Sequence, residues 1–191
     1  MAKFTITPTD IGGYLIDSAF SDDNRGSFTK LFEQDAFKKS GIDFHCSESF
    51  VSCSGKNVVR GLHFQTFHPQ AKLVSVISGK IYDVMVDLRK GSDTYGQWRG
   101  FYLSSENRRS LLIPRGFAHG FLSLCKGSTV LYQCDGAYDK ETDTGILFCD
   151  KDIAVDWQVD ASKLIVGQRD RKLMTFREFD SGKGFTYADQ P

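Results

Sequence analysis

The sequence has no net charge, because its 24 lysine and arginine side chains balance its 24 aspartate and glutamate side chains. A protein that binds nucleic acid needs a basic face that neutralises phosphate groups. The balance therefore argues against nucleic acid as a partner. Any anionic ligand must instead meet a local group of cations.

Long apolar runs are also absent from the sequence. No run approaches the roughly 18 residues of a membrane-spanning helix. Residues 1–14 lack the basic region, apolar run and small-residue cleavage site of a secretion signal. The sequence therefore predicts a soluble, cytoplasmic protein that makes no membrane contact.

The sequence also lacks a pattern of paired cysteines, because it has an odd number of cysteines, five, and no CxxC motif. This pattern argues against a disulfide framework and against a structural zinc site. We predict ordinary thiols, most of them buried, at Cys46, Cys53, Cys125, Cys134 and Cys149.

What the chain does contain is a series of short apolar runs, rich in β-branched and aromatic residues and separated by turn residues. Such a series is typical of an all-β sandwich or barrel. Hydrophobic residues make up 40% of the 191-residue chain, which suffices for one core, and no repeat or linker divides it. We predict a single all-β domain that closes into a jelly-roll barrel, whose mouth can hold a small molecule.

The clearest strand runs from Ile81 to Leu88, where Asp83 and Asp87 share one face and alternate with apolar side chains on the other. This alternation has the two-residue period of a strand. Gly79 separates it from the apolar run 73–77, and since glycine tolerates tight turns, we predict that the two strands form a hairpin. Further strands are predicted at residues 98–103, 110–113, 120–124, 129–134 and 145–149.

One segment, Glu33 to Ser40, is predicted to be helical, with Gly41 as its C-terminal stop. From Leu164 onward the chain is richer in charge. We predict that this last part is a short helical or irregular appendage.

Arg60 and His63 are candidate functional residues in the strand-like segment 58–65. A regular strand would place them on opposite faces, unless Gly61 bends it. His63 can act as a general base, because an imidazole has an ordinary pKa of about 6.5. The alternative is a hydrogen-bonded core histidine.

The segment 114–121 is a second candidate site, because its two glycines and one alanine allow a close approach of the backbone to a ligand. The alternative is a tight turn between strands. Arg25 and Arg60 could bind phosphate through their forked guanidinium donors, although most surface arginines are solvated or paired.

Three segments resemble motifs of the dTDP-4-dehydrorhamnose 3,5-epimerase family: RGLHFQ at residues 60–65, DVMVDLR at 83–89 and IPRGFAHGF at 113–121. Residues 22–26 resemble the family's N-terminal arginine motif, and residues 132–138 its tyrosine segment. The match covers roughly residues 10 to 175. The resemblance implies a cupin jelly roll with short flanking helices, a homodimer and an isomerase without cofactor. It also implies a nucleotide-diphosphate sugar substrate and a role in making activated deoxy sugars, for example for lipopolysaccharide O-antigen or glycosylated metabolites.

The resemblance also implies roles for single residues. His63 matches the family's base, Asp170 the carboxylate that orients it, Lys72 the cation beside the sugar carbonyl and Tyr132 the proton donor on the opposite face. Without the resemblance, Asp170 could be an exposed carboxylate, Tyr132 a core ring and Lys72 a side chain at a strand edge. The implied substrate-binding residues are Arg25, Lys30, Glu48, Phe50, Arg60, His119, Tyr138, Asp143 and Arg169.

These roles agree with the chemistry of a 4-keto sugar. Removing the proton from C3 or C5 gives an enolate whose charge rests on the C4 oxygen, and an ammonium stabilises that charge. Inversion then requires a proton from the other face. One base, one acid and one cation therefore suffice.

A metal ion is not predicted. Metal-binding cupins use two histidines separated by one residue, with a carboxylate and a further histidine. Gln65 stands where the second histidine would be, and His45, His68 and His119 do not restore the spacing.

The sequence departs from the family pattern where the ligand is recognised. Lys30 stands in place of a glutamate that contacts the base, residues 48–50 in place of Gln-Asp-Asn, and Ala137 in place of a tyrosine. Lysine only donates hydrogen bonds, so the base it pairs with can differ. The nucleotide (dTDP, CDP or GDP) and the number of inverted centres therefore stay open. Rival functions are a 3,4-ketoisomerase, a metal-dependent cupin oxygenase or isomerase, and a non-catalytic module that binds sugar nucleotides.

Overall fold

The computed structural model describes residues 3–182 and 184–186, so Met1 and Ala2 of the N-terminal segment lie outside the described residues. Within them, the chain forms mainly β-strands, with two α-helices and two 3₁₀ helices, at Ala161–Lys163 and Asp170–Lys172. In chain order the other elements are β1 (Thr5–Pro8), β2 (Tyr14–Asp17), β3 (Ala19–Asp23), β4 (Gly26–Lys30), α1 (Gln34–Lys39), β5 (Glu48–Ser54), β6 (Val58–Gln65), β7 (Lys72–Ser78), β8 (Lys80–Asp87), β9 (Arg89–Lys90), β10 (Trp98–Ser104), β11 (Arg109–Ile113), β12 (Phe117–Ser123), β13 (Ser128–Cys134), β14 (Asp143–Gly145), β15 (Ile165–Val166), α2 (Phe176–Ser181) and β16 (Phe185–Thr186).

Most strands belong to two antiparallel sheets that face each other. The first sheet has the order β1-β2-β11-β7-β13-β5, and the second has the order β10-β8-β12-β6-β14, with β15 parallel to β6. The strands β3 and β4 form a separate hairpin. This architecture confirms the predicted all-β cupin jelly roll with short flanking helices.

The main core lies between the sheets and combines side chains from both. Val74 and Val130 of the first sheet pack there with Met85 and Phe121 of the second. Burial of such side chains is the main stabilising contribution, at roughly 1.5–3 kcal/mol each. Because Met85 points inward from β8, the alternate residues Val84 and Val86 point outward.

The outer faces of both sheets are covered as well. Val84 and Val86 share a core cluster with Trp157 and with Phe179 of α2. The predicted short helical or irregular appendage from Leu164 onward therefore supplies part of this cover. On the first sheet, Phe37 of α1 is fully buried. This helix confirms the one predicted from Glu33 to Ser40.

The predicted hairpin between residues 73–77 and Ile81–Leu88 is wrong. Gly79 does form a tight turn, with φ of +83°. However, β7 pairs with β11 and β13 in the first sheet, whereas β8 pairs with β10 and β12 in the second. The turn is a corner where the chain crosses between sheets, because pairing with distant strands decides the partners of β7 and β8.

The strand predicted at residues 145–149 is mostly wrong, since β14 ends at Gly145 and only Ile146 makes a further bridge, to Met174. Beyond it the backbone turns away from the sheet, because Asp150 accepts hydrogen bonds from the backbone N–H groups of Asp152 and Ile153.

The prediction that most cysteines are buried is also wrong. All five thiols are free; Cys134 is buried and Cys125 partly buried, but Cys46, Cys53 and Cys149 are exposed. Cys53 lies on β5, at the edge of the first sheet, which leaves it in contact with solvent. In the described part of the chain, no helix is long and apolar enough to span a membrane.

Candidate active site

A cavity of about 260 Å³ opens between the two sheets. Its walls come from β5, β7 and β13 of the first sheet and from β6 and β12 of the second. The lining residues are Phe50, Ser52, Arg60, His63, Gln65, Gln70, Lys72, His119, Tyr132, Tyr138, Asp143 and Arg169.

A β-bulge at Gly61 shapes the second-sheet wall of this cavity. Along β6 and β12, His63 lies opposite His119, but Arg60 lies opposite Phe121, so β6 carries one extra residue between the two pairs. A bulge of this kind shifts the alternation of side chains by one position. Arg60 and His63 therefore both reach the cavity, although a regular strand would place them on opposite faces.

Gly61 is required at this bulge. Its φ is +117°, and a Cβ atom there would lie 2.5 Å from the Cα atom of Gly120. Such contacts exclude any side chain. The close backbone approach predicted for a ligand in the segment 114–121 is, at Gly120, an approach to the neighbouring strand β6. His119 of the same segment lines the cavity.

His63 and Asp170 form a hydrogen-bonded pair. His63 Nε2 lies 2.8 Å from Asp170 Oδ1, and the Gly61 N–H donates to Asp170 Oδ2 at 3.1 Å. Although burial alone would raise it, the hydrogen bond and charge of His63, with the Gly61 N–H, hold the pKa of Asp170 below its usual value. An ionised carboxylate only accepts hydrogen bonds, so Nε2 donates and Nδ1 is left to accept a proton. The alternative of an exposed Asp170 is wrong, because its side chain is only 10% exposed.

Tyr132 lies across the cavity, on β13 of the first sheet. It is 7% exposed, and burial raises the pKa of its phenol well above the usual value, with the Asp83 carboxylate adding to the shift. The Ser52 side chain opposes that shift, while its Oγ makes no well-aligned hydrogen bond in the described part of the chain. At neutral pH the phenol therefore carries its proton.

Phe50 covers the ring of Tyr132. The two residues are cross-strand partners on β5 and β13, and their rings stack with centroids 4.7 Å apart and planes inclined by 12°. The ring of His119 meets Tyr132 edge-on, with centroids 5.7 Å apart. Tyr132 is thus enclosed by rings from both sheets.

Lys72 lines the first-sheet wall beside Tyr132, at the start of β7. Burial lowers the pKa of its amine below the usual value, although the Asp143 carboxylate opposes the shift. Burial also raises the pKa of Cys134 to about 11, so that thiol is neutral. In its charged form, Lys72 would stabilise a negative charge that develops in the cavity.

His119 is held by a buried carboxylate. Its Nε2 donates a hydrogen bond to Asp83 Oδ1, and both side chains are almost fully buried. Asp83 Oδ2 has no hydrogen-bond partner among the described residues. The pair fixes the ring of His119 at the cavity wall.

The mouth of the cavity is built around Tyr138. Its hydroxyl donates to Asp143 Oδ2 at 3.0 Å, and its backbone N–H donates to Glu48 Oε2 at 2.8 Å. Arg169 binds the same Asp143 oxygen at 2.7 Å. These contacts fix an exposed ring and a guanidinium beside the opening.

Arg25 and Lys30 do not join this group of residues. Both belong to the β3–β4 hairpin; Arg25 is 86% exposed and pairs with Asp23, while Lys30 pairs with Glu33 at 2.8 Å. Neither lines the cavity. No cluster of three or more histidine, cysteine or acidic side chains that could hold a metal ion occurs in residues 3–182 and 184–186.

Comparisons with known proteins identify the family of this fold and cavity. A family model described as dTDP-4-dehydrorhamnose 3,5-epimerase matches residues 8–178. The dTDP-4-dehydrorhamnose 3,5-epimerase of Methanothermobacter thermautotrophicus is 44% identical over 93% of this chain and 97% of its own length. The chain belongs to the dTDP-4-dehydrorhamnose 3,5-epimerase family. The resemblance and the prediction of a carbohydrate epimerase are thereby confirmed.

Two solved structures of epimerases are similar over nearly the whole chain. One, from the novobiocin biosynthetic gene cluster of Streptomyces spheroides, is a 4-keto-6-deoxy sugar epimerase with a TM-score of 0.92, 33% identity and coverage of 98% of this chain and 95% of its own. The other, a dTDP-6-deoxy-D-glucose-3,5-epimerase from Legionella pneumophila in complex with dTDP-4-keto-L-rhamnose, has a TM-score of 0.91, 35% identity and coverage of 96% and 98%.

In this family member, most of the predicted site residues lie at one cavity. Asp170 and Glu48 do not line the cavity themselves. Asp170 is hydrogen-bonded to the lining residue His63, and Glu48 accepts a hydrogen bond from the backbone N–H of the lining residue Tyr138. Those that line it directly are Phe50, Arg60, His63, Lys72, His119, Tyr132, Tyr138, Asp143 and Arg169.

Three further lining residues were not predicted to belong to the site. Ser52 lies two positions after Phe50 on β5, and strand alternation could have indicated it. Gln65 closes the RGLHFQ motif; its amide accepts from the Asp139 N–H at 2.9 Å and donates to the His68 carbonyl oxygen at 3.0 Å. Gln70 contacts the loop before Tyr138. The two glutamines hold loops at the mouth, and no local pattern in the sequence indicates that role.

Proposed function

We propose that this protein is a 3,5-epimerase that inverts the carbons beside the C4 ketone of a nucleotide-diphosphate-linked 4-keto-6-deoxy sugar. One observation carries the proposal: His63 on the second sheet, paired with Asp170, lines one cavity with Tyr132 and Lys72 of the first sheet. A sugar ring between the sheets would thus have a base on one face and an acid on the other. Family membership supports the same reaction.

His63 Nδ1 removes the proton from C3 or C5, and Asp170 stabilises the imidazolium that results. The electrons of the broken C–H bond move to the C4 oxygen, where the Lys72 ammonium stabilises the enolate. The Tyr132 hydroxyl then gives its proton to the opposite face of the carbon. Because the pKa of Tyr132 is raised, the phenol stays protonated until the basic enolate carbon approaches it.

The cavity volume supports a division of the substrate between the cavity and its rim. At about 260 Å³ it is below the roughly 300–1,000 Å³ typical of pockets for drug-sized ligands. The sugar therefore fits inside, while the nucleotide lies beyond the mouth. We assign the diphosphate to Arg60 and Arg169, whose guanidinium groups suit phosphate oxygens. The base, thymine, cytosine or guanine, would lie near Tyr138.

The proposal includes a cytoplasmic homodimer. Arg25 and Lys30 cannot meet substrate in their own chain, because the β3–β4 hairpin lies away from the cavity. In a homodimer, this hairpin would reach the cavity of the second copy. That arrangement would explain why Arg25 and Lys30 match substrate-binding positions of the family. Analytical ultracentrifugation tests this part, and a monomer that is fully active at assay concentration would contradict it.

Isotope exchange tests the reaction. The protein is incubated in deuterated water with 4-keto-6-deoxyglucose linked to dTDP, CDP or GDP, and nuclear magnetic resonance then counts deuterium at C3 and C5. We expect label at both carbons with one nucleotide, together with inversion. Absence of label with every substrate would reject an epimerase. Movement of the carbonyl from C4 to C3 would identify a ketoisomerase instead.

The variant His63→Ala identifies the base. We expect it to abolish exchange while the circular dichroism spectrum is unchanged. His45→Ala is a matched control, since His45 also pairs with an aspartate, Asp43, at 2.9 Å but lies exposed outside the cavity. Unchanged exchange in His63→Ala would reject this residue as the base.

A further inference from the structure

We infer that Phe50, by covering the Tyr132 ring, limits the enzyme to one inversion per binding event, so that a singly inverted sugar is released before the second carbon is inverted. The inference rests on the proposed function. It concerns the order and release of products rather than the identity of the reaction.

Phe50 is placed to act as a cover. It lies on β5, the edge strand of the first sheet, and Tyr132 lies on the neighbouring strand β13. Their rings stack in parallel at 4.7 Å. Phe50 is 44% exposed and Tyr132 only 7% exposed, so the outer ring takes the solvent contact that the inner ring lacks. At this position an asparagine would leave the flank of Tyr132 open to water.

One inversion leaves the acid and the base in the wrong protonation states for the next. The C–H bond breaks and its proton bonds to His63, while the O–H bond of Tyr132 breaks and its proton bonds to the enolate carbon. The products are an imidazolium and a phenolate. Before a second inversion with the same two groups, His63 must release a proton to water and Tyr132 must take one from water.

The two exchanges with water differ in access. The side chain of His63 is 26% exposed, whereas Tyr132 is only 7% exposed, so the phenol has the poorer access to water. Tyr132 is covered by Phe50 on its face and by His119 at its edge, and His119 is committed to Asp83. Ser52 is beside the hydroxyl, but it also faces the cavity, which the sugar fills. Fast reprotonation of Tyr132 therefore waits until the sugar leaves.

The distribution of label in early product tests this inference. With the substrate of the nucleotide that the enzyme accepts, in deuterated water, we expect the first product to carry one deuterium. Product with two deuterium atoms should appear only after a lag, once the released sugar rebinds. An excess of fresh substrate, added as a chase, should compete with this rebinding and suppress the doubly labelled product. In Phe50→Asn, we expect doubly labelled product without a lag and resistance to the chase.

Two control variants separate the cover from a general loosening of β5. Phe50→Leu keeps an apolar cover and should keep the lag. Val51→Asn changes the next residue, which is 55% exposed and does not line the cavity, and it should also keep the lag.

Three results would overturn the inference, and the first two of them leave the proposed function intact. The first is doubly labelled product without a lag in the unmodified enzyme. The second is an unchanged lag in Phe50→Asn. The third is permanent labelling of a single carbon in both proteins, because a cover slows the second inversion without preventing it. Absence of label at both carbons would instead reject the proposed function itself.

Discussion

Arg60 and His63 lie three residues apart on β6, and both side chains line the same cavity. The bulge at Gly61 brings them to one face, and it depends on the close approach of Gly120 on β12. The proposed base and a proposed phosphate-binding group thus come from a single strand. The geometry of the site therefore depends on a residue that has no side chain.

Gly61→Ala should lower the free energy of unfolding by about 2–4 kcal/mol. The φ of +117° is strained for alanine, and the new Cβ would lie 2.5 Å from Gly120 Cα and 2.6 Å from the His119 carbonyl oxygen. Both obstacles are backbone atoms, so relief requires that β6 and β12 separate. Urea unfolding measures the loss.

Gly55→Ala is the matched control for this variant. A Cβ atom there meets nothing within 4 Å. We expect a change within about 0.5 kcal/mol, as for most surface substitutions. Equal stabilities of the two variants would contradict the role assigned to the bulge.

Asp170→Asn should lower kcat by about 10²–10⁴-fold with little change in KM. In the proposed mechanism the carboxylate orients His63 and stabilises its cation, so its loss should act on the proton transfer rather than on substrate binding. Steady-state kinetics measure the effect. Asp43→Asn, which changes the exposed partner of His45, should leave kcat unchanged.

The same carboxylate predicts a pH dependence of stability. The pKa of Asp170 is lower in the folded protein than the ordinary value of about 3.9. Its stabilising contribution is therefore complete above that ordinary value and is lost as the pH falls through the folded pKa. The difference in free energy of unfolding between the unmodified protein and Asp170→Asn should shrink as the pH falls below about 3.9. A difference that grows below that pH would contradict this sign.

Lys72→Met should lower kcat by about 10²–10³-fold, the usual cost of removing one group that stabilises an oxyanion. Burial lowers the pKa of Lys72 below the ordinary lysine value of about 10.4. As the pH rises, the amine therefore loses its charge earlier than an ordinary lysine does. Activity should fall as the pH rises through that lowered value. The residual activity of Lys72→Met should lack this alkaline limb, whereas Lys80→Met, outside the cavity, should keep it.

The local parts of this fold could be predicted from the sequence, and the long-range parts could not. Alternation in β8 is a property of neighbouring residues, and its two faces lie as predicted. The pairing of β7 and β8 is decided by distant strands, and the prediction of a hairpin failed for that reason.

The candidate site shows the same division. His63 and Asp170 are 107 positions apart, and only the resemblance to a family indicated that they meet. The stack of Phe50 on Tyr132 depends on the register of β5 against β13, which no local pattern contains.

Tyr132→Phe should separate exchange from inversion. The variant keeps the ring, and with it the stack on Phe50, but lacks the proton that inversion requires. His63 can still remove a proton, exchange it with deuterated water and return deuterium to the same face. We expect label at C3 or C5 with the original configuration retained, measured by nuclear magnetic resonance. Tyr102→Phe, which changes an exposed ring on β10, should keep both exchange and inversion. Inverted product from Tyr132→Phe at the unmodified rate would transfer the role of acid to Tyr138, whose hydroxyl is otherwise committed to Asp143.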